Sequence, residues 1–199
     1  MTTIQHVKNI HEMLRSATCQ LHERVELINP LSKKEPSLED YFFYLSAFLH
    51  LIEPIENNLS KFYVNFSFPK SDQSIKRSIL LKNDLENLGM FQNIEFKSVI
   101  KTPIIFSAAN AVGVLYVLEG SNLGGQFLYK KLKSLHGNKI THSLSFLYGN
   151  GFDTFKYWKE FLTFIQDYSD QHPSEIEIII QSAIDTFECF EQMFLQNKN

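Results

Sequence analysis

Residues 115–126 read LYVLEGSNLGGQ and lie within a long segment that has the apolar content of a buried helix. Thr102-Pro103 precedes this segment, and threonine followed by proline in the first turn is a common helix start. Gly137, a residue type that often follows a helix end, comes after it. The pattern therefore predicts one long helix from Pro103 to about Leu135.

The three glycines of this stretch, Gly120, Gly124 and Gly125, are unusual inside a helix, because each costs about 1 kcal/mol of helix stability relative to alanine. Gly120 and Gly124 are four residues apart and therefore lie on one helix face. A glycine face lets either a neighbouring helix or a ligand approach the backbone closely. The spacing matches neither a P-loop nor a dinucleotide fingerprint. Close helix packing and ligand approach both remain open from this stretch alone.

The rest of the chain has apolar residues at helical spacing and no useful run of strict alternation. Glycine and proline together make up only 14 of 199 residues, which favours a few long helices over many short strands. We therefore predict an all-α, multi-helix bundle that forms a single domain over residues 1–199. The further helices are expected at Thr3–Ile28, Tyr41–Tyr63, Ser71 or Asp72 to Leu88, Asp153–Tyr168 and Pro173 to about Leu195, with one short helical turn within 90–101 and a loop over 138–151.

Charge and composition exclude several function classes. Lys+Arg number 19 and Asp+Glu 22, a net charge of −3, which argues against nucleic acid or an anionic membrane as the main partner. The longest apolar stretch, Ile104–Leu118, is too short to span a bilayer. The N-terminus lacks the apolar core of a secretory signal, and Cys19 and Cys189 form no metal-binding motif. These features predict a cytoplasmic protein.

Among seven histidines, His22 has the setting most typical of a metal ligand. It follows Leu21 on the apolar stripe of the first helix, and Glu26 lies one turn later, where a carboxylate can orient the imidazole. Arg15 lies two turns earlier on the same face and could meet a carboxylate of the ligand. A candidate ligand histidine, a cation in line with it, a glycine face and a chain with 14% aromatic residues suggest a flat, iron-centred ligand with carboxylates, namely haem.

At this point the sequence resembles the bacterial haem oxygenases, which form biliverdin. Residues 14–22, LRSATCQLH, are similar to the family's N-terminal LR-x-A-T-x-x-L-H segment. Residues 116–125, YVLEGSNLGG, are similar to its distal-helix signature Y-x-x-E-G-S-x-L-G-G. Weaker similarities over 80–89, 158–161 and 183–194 follow in family order, so that the resemblance covers nearly the whole chain.

The resemblance implies a fold in which haem is bound between the first helix and the glycine helix. It implies that His22 ligates the iron and that Gly120 and Gly124 lie over the distal face with Ser121 nearby. Many members have an aspartate where this chain has Ser121, so the water network near the oxygen must be built differently here. The side chains expected to contact haem besides His22 are Arg15, Glu26, Tyr116 and, as weaker candidates for propionate contacts, Lys130 and Lys131.

The resemblance further implies that haem is both substrate and cofactor. O2 and an external electron donor, such as a ferredoxin or a flavoprotein reductase, would convert it to biliverdin, carbon monoxide and ferrous iron. Arg15 and Tyr116 would fix the in-plane rotation of haem and so select the meso carbon, with a preference for alpha. Iron acquisition and supply of biliverdin to a phytochrome pathway both fit such a reaction.

Other functions are compatible with parts of the sequence. A non-catalytic haem carrier or sensor of the same fold is the main alternative, and the serine at position 121 is the one feature that favours it. A haem-free, thiaminase-like hydrolase would need Cys19 or Cys189 as nucleophile and would leave the glycine face unexplained. A pure interaction module would leave it equally unexplained. A ferritin-like di-iron site is excluded, because no Glu-x-x-His occurs in the chain.

Overall fold

The computed structural model describes residues 9–63, 76–90 and 101–196. All regular secondary structure within these ranges is helical, which confirms the predicted all-α class. The α-helices are α1 (Ile10–Ile28), α2 (Leu38–Tyr63), α3 (Arg77–Leu88), α4 (Ala108–His136), α5 (Ser145–Tyr148), α6 (Thr154–Gln171) and α7 (Ile176–Leu195).

Two of the long helices begin later than the sequence predicts. Asn9 has an extended backbone and its side chain accepts a hydrogen bond from the His11 amide, so it is the N-cap of α1, which begins at Ile10; the predicted part from Thr3 to Lys8 lies outside the described residues. The helix α4 begins at Ala108 and not at Pro103, because Ser107 is its N-cap and forms a reciprocal capping box with Asn110. A complete cap defines a helix start more strongly than a Thr-Pro pair alone.

Other helix ends are defined by equally local signals, although α2 begins at Leu38, three residues before the predicted Tyr41. Ser37 Oγ accepts a hydrogen bond from the Asp40 amide at 3.1 Å, and the Asp40 carboxylate accepts one from the Ser37 amide at 2.9 Å, which caps the start of α2. Gly89 ends α3 with φ 67°, a left-handed conformation that glycine adopts without strain. Gly137 ends α4.

The region between α4 and α7 differs from expectation in detail. The predicted loop over 138–151 contains the short helix α5 and 3₁₀ turns at Gly137–Ile140 and Gly151–Asp153. Asp153, the predicted first residue of this helix, occupies the N-cap position of α6, but its side chain makes no capping hydrogen bond. The predicted start of the third helix at Ser71 or Asp72 and the short turn expected within 90–101 fall largely outside the described residues.

The helix α7 lies at the centre of the fold, where it packs along both α1 and α4 and also contacts α2. Its buried Phe190 and Phe194 meet Phe48 of α2, with ring centroids 5.1 and 6.0 Å apart. The run Tyr41–Tyr44 at the start of α2 is buried throughout and belongs to the core. The helix α3 packs on α2, and α5 bridges α3 and α4. Within the described ranges, no helix has the combination of length and hydropathy needed to cross a membrane.

Two buried carboxylates have structural roles. Glu56 of α2 accepts hydrogen bonds from the Arg77 amide at 2.7 Å and the Ser78 hydroxyl at 2.6 Å, and so caps the start of α3. Asp84 of α3 accepts from the amides of Ser145 and Phe146 at 3.0 and 2.8 Å, and so caps α5. Burial raises the pKa of Asp84 against these hydrogen bonds. Glu56 thus joins α2 to α3, and Asp84 joins α3 to α5, which packs on α4.

Candidate functional site: the cleft between α1 and α4

The two helices that carry the predicted site, α1 and α4, both pack on α7, and α6 touches both of them, yet α1 and α4 make little contact with each other. They run in the same direction. His11 near the start of α1 lies beside Tyr116, with ring centroids 6.1 Å apart. Just beyond the end of α1, the carbonyl of Leu31 accepts a hydrogen bond from Lys131 Nζ at 2.9 Å. A cleft with α7 as its floor therefore separates two parallel helices.

These two contacts relate positions along α1 to positions along α4. His22 follows His11 by eleven residues, about 17 Å along a helix, and the same rise from Tyr116 on α4 reaches residue 127. The other contact, from Lys131 to Leu31, lies in the 3₁₀ turn beyond the extended Asn29, so it shows only that the C-terminal end of α1 lies near the end of α4. His22 therefore lies level with the second half of α4, and its position opposite the glycine face stays a prediction.

His22 is available to a ligand. Its side chain is 55% exposed, and its Nδ1 lies 3.7 Å from Glu26 Oε1, a gap beyond hydrogen-bond length that a small rotation or a bridging water would close. The Phe187 ring of α7 meets the imidazole edge-on, with centroids 5.8 Å apart. With Nδ1 directed at the carboxylate, Nε2 is left as the donor atom for a metal. The structure thus places the Glu26 carboxylate beside the His22 imidazole, as the spacing predicts.

The glycines of α4 divide into two kinds. A Cβ built on Gly124 would meet nothing within 4 Å, and one on Gly120 would make only ordinary contact with Trp158, at 3.6 Å. By contrast, a Cβ on Gly113 would lie 2.2 Å from the Ile179 carbonyl oxygen, and one on Gly125 would lie 3.3 Å from the Leu147 carbonyl oxygen. Helix packing therefore explains Gly113 and Gly125 but not Gly120 and Gly124, and an open glycine face favours ligand approach.

The same face of α4 exposes large apolar side chains. Leu123 and Phe127 follow Gly120 at helical spacing and are 36% and 70% exposed. Exposed apolar side chains that cluster on one face mark a binding surface more often than an ordinary one. Sequence reasoning did not single out either residue, although the spacing Gly120, Leu123, Gly124 and Phe127 could have indicated a flat apolar wall.

Arg15 and Tyr116, predicted together as carboxylate contacts, come together at one end of the cleft. Burial raises the pKa of Tyr116 to about 12, and the positive charge of Arg15 opposes that rise. The phenol therefore keeps its proton at neutral pH and can donate a hydrogen bond, while the exposed guanidinium of Arg15 supplies charge. Along α1, Arg15 precedes His22 by about 10 Å, since seven residues separate them.

Two aromatic side chains that the sequence did not indicate complete this end. Trp158 of α6 lies 5.6 Å from the Tyr116 ring and 5.9 Å from the His11 ring, measured between centroids. The group therefore joins α1, α4 and α6 where the cleft closes. In the sequence, Trp158 belongs only to the weak family similarity over residues 158–161.

The start of the glycine face is held by an ion pair. Glu119 accepts a hydrogen bond from Arg77 Nη2 at 2.6 Å and another from Asn122 Nδ2 at 3.2 Å. Ser121, the predicted neighbour of the oxygen, is exposed, and its hydroxyl donates to the Leu118 carbonyl at 2.7 Å. Its oxygen remains able to accept a hydrogen bond from water.

Lys130 lies far from the Arg15–Tyr116 end. Fourteen residues separate it from Tyr116 along α4, a distance of about 21 Å. The side chain of Lys130 is exposed, whereas the adjacent Lys131 is held by the carbonyls of Leu31 and Lys33. The predicted propionate contact of Lys130 cannot serve the same carboxylate edge as Arg15 and Tyr116.

A separate groove of about 790 Å³ lies along the C-terminal end of α1 and the residues that follow it. Its lining includes Glu23, Glu26, Leu27, Ser32 and Phe194 but no residue of α4, so it is not the cleft that holds His22. Within the described ranges, no three His, Cys, Asp or Glu side chains gather as a metal cage.

The cysteines do not support a hydrolase. Burial, reinforced by the negative charges of Asp185 and Glu188, raises the pKa of the Cys189 thiol to about 11, which disfavours the reactive thiolate. Cys19 is exposed, and its thiol donates to the Ser16 carbonyl on the same helix.

Comparisons with known proteins agree with the geometry. The sequence matches the family described as Heme oxygenase over residues 8–196. A NO- and CO-bound heme oxygenase from Neisseria meningitidis is similar in structure, with a TM-score of 0.71, 22% identity, and coverage of 94% of this chain and 91% of that one. Heme oxygenase from Leptospira interrogans has a TM-score of 0.69 at 19% identity, with 94% and 98% covered. A search of the curated proteins gave no match. Because the family match extends over nearly the whole chain, this protein belongs to the haem oxygenase family.

Proposed function

We propose that this haem oxygenase binds and cleaves haem in the cleft between α1 and α4, with His22 as the iron ligand. Family membership establishes the reaction class, the degradation of haem, and haem as the ligand. The observation that supports the proposed site is the open glycine face of α4: a Cβ on Gly124 would meet nothing within 4 Å, and the contacts of His11 with Tyr116 and of Leu31 with Lys131 bring α1 alongside this helix.

The cleft fits a flat, amphipathic ligand. Leu123 and Phe127 offer apolar surface to the macrocycle, and the bare backbone at Gly120 and Gly124 allows it and a small second reactant to approach closely. Arg15 and Tyr116 offer a cation and a hydrogen-bond donor to a carboxylate, at a distance from His22 suited to the edge of a haem. Lys130 has no part in this arrangement.

Each side chain has a defined task. Glu26 orients the His22 imidazole, and Phe187 limits its rotation. Arg15 and Tyr116 fix the in-plane rotation of haem, which selects the meso carbon that is attacked, with alpha preferred. Gly120 and Gly124 keep the distal side free of side chains, and Ser121 accepts a hydrogen bond from water beside them. The bound haem supplies the oxygen chemistry, while the protein supplies position and proton delivery.

The same proposal includes the finer features of the reaction. The products are biliverdin, carbon monoxide and ferrous iron, and an external ferredoxin or flavoprotein reductase supplies the electrons. The protein acts in the cytoplasm, and either iron acquisition or supply of biliverdin to a phytochrome pathway gives the reaction its purpose.

A haemin titration of the purified protein tests the proposal. We expect a Soret band that saturates near one equivalent and that decays under air with a reductant as absorption typical of biliverdin appears. A stable Soret band with no decay would favour the carrier or sensor alternative. No Soret band would contradict the site. His22→Ala, with exogenous imidazole added as a replacement ligand, assigns the band to His22 if imidazole restores the spectrum.

A further inference from the structure

The ring of His11 lies at the meeting point of three helices. It faces Tyr116 of α4 at 6.1 Å and Trp158 of α6 at 5.9 Å, with the indole nearly perpendicular to the imidazole at 82°. Arg15 follows it by one turn on α1, on the same face. His11 therefore lies behind the Arg15–Tyr116 pair, at the closed end of the cleft.

The charges that act on His11 come mainly from its own helix. Burial lowers the pKa of His11, the positive charge of Arg15 lowers it further, and Glu12 acts in the opposite direction. The partners from the other helices are uncharged at neutral pH: α4 presents the phenol of Tyr116, and α6 presents the indole of Trp158. Burial and Arg15 thus favour the neutral imidazole over the charged one.

We propose that His11 is a pH-dependent positioning residue for the carboxylate edge of haem. Its ring sets the position of Tyr116 and Trp158, and its protonation adds a second positive charge behind Arg15. This inference rests on the proposed function, because it concerns the end of the same cleft. His11 acts through its neighbours and at a distance, since it lies one turn farther than Arg15 from His22.

The direction of the effect follows from linkage. A carboxylate bound beside Arg15 compensates the charge that disfavours protonated His11, so binding raises the pKa of His11 and takes up protons. Affinity for a carboxylate-bearing porphyrin must then increase as the pH falls toward that of His11 protonation. A rise of half a pKa unit on binding corresponds to about a threefold increase in affinity.

The unliganded protein allows the contact itself to be tested, because Trp158 is the single tryptophan of the chain. A protonated imidazole quenches an adjacent indole more strongly than a neutral one does. Tryptophan fluorescence is therefore expected to fall with pH in a transition whose midpoint lies below the ordinary histidine value of 6.5. The transition should disappear in His11→Gln and persist in His142→Gln, a matched change at an exposed histidine.

The effect on ligand binding is measured with haemin and with its dimethyl ester, which has no free carboxylates. The affinity for haemin is divided by the affinity for the ester at each pH between 8 and 6. The ratio removes the contribution of His22 protonation, which weakens both ligands alike. In the wild type the ratio should rise as the pH falls, mostly at the acidic end of this range, with about threefold as the upper limit for a pKa rise of half a unit on binding. In His11→Gln the ratio should be low and should not change with pH. In His11→Lys, where the charge is permanent, it should be high and should not change with pH. A merely structural role would not make the lysine and glutamine variants differ in this way.

The outcomes separate the two levels of the proposal. A pH-dependent ratio that is unchanged in His11→Gln would overturn the role of His11 while leaving haem binding intact. A fluorescence transition that persists in His11→Gln would overturn it as well. Failure of both porphyrins to bind would overturn the proposed function, even if the fluorescence transition behaved as expected. The proposed effect of His11 on the carboxylate edge of haem would fall with it.

Discussion

Gly124 offers a substitution whose effects on stability and on activity have opposite signs. Gly124→Ala adds a Cβ that meets nothing within 4 Å, inside a helix where glycine costs about 1 kcal/mol relative to alanine. The variant should therefore be more stable by about 1 kcal/mol, a rise in Tm of about 2–4 °C for a chain of this size. Gly124→Leu should gain a similar amount, because leucine has nearly the helix propensity of alanine.

The same leucine should abolish turnover. Its side chain would extend into the cleft, where the proposal requires bare backbone opposite His22. Haem would then be displaced or held away from the productive position, so we expect a loss of activity of at least tenfold despite the gain in stability. Gly124→Ala, with one added methyl group, should lose less activity than Gly124→Leu.

Thermal unfolding followed by circular dichroism and a haem-degradation assay on the same preparations measure the two effects. Gly113→Ala is the matched control, since its Cβ would lie 2.2 Å from the Ile179 carbonyl oxygen and the strain should destabilise the protein by about 1–3 kcal/mol. A fall in the Tm of Gly124→Leu would refute the open face. Full activity in that variant would refute the close approach of haem.

The remaining predictions concern the walls and ends of the cleft. His22→Ala should lower haemin affinity at least tenfold, and an unchanged Soret band and affinity in a titration would refute its assignment as ligand. The double variant Arg15→Met, Tyr116→Phe should alter the mixture of biliverdin isomers resolved by chromatography; the same mixture as in the wild type would mean that other residues set the haem rotation. Phe127→Ser should weaken haemin binding with a change in unfolding free energy within about 0.5 kcal/mol, because the side chain is 70% exposed. Phe152→Ser, at a fully exposed site outside the glycine face, is its control and should leave haemin affinity unchanged.

The sequence was sufficient for the fold class because the signals were local. Apolar spacing predicted α1, α2 and α7, and Gly89 and Gly137 ended helices where glycine usually does. Helix starts were harder to predict. Both Thr102-Pro103 and Ser107 are possible starts of α4 by sequence. The reciprocal hydrogen bonds between Ser107 and Asn110, which fix the start at Ala108, are visible only in the structure.

The candidate site was predictable where its residues share one helix and not where they meet across helices. His22 and Glu26 are one turn apart, so their proximity follows from spacing alone. Whether Gly120 and Gly124 serve packing or a ligand depends on what lies opposite α4, which no local pattern contains. His11 and Trp158 became part of the site only because α1, α4 and α6 converge. The sequence allowed Lys130 as a propionate contact, but the rise along α4 places it about 21 Å from Tyr116 and so away from the Arg15 end.

The most direct test of haem cleavage in this cleft is the carbon monoxide released in a single turnover. One equivalent of haemin bound to the wild type, with ascorbate under air and catalase present to remove free peroxide, should yield about one carbon monoxide per haem together with biliverdin. His22→Ala and Gly124→Leu should yield far less. If the wild type retains its haem intact and releases no carbon monoxide with ascorbate or with a ferredoxin or flavoprotein donor, the proposed catalytic site is contradicted.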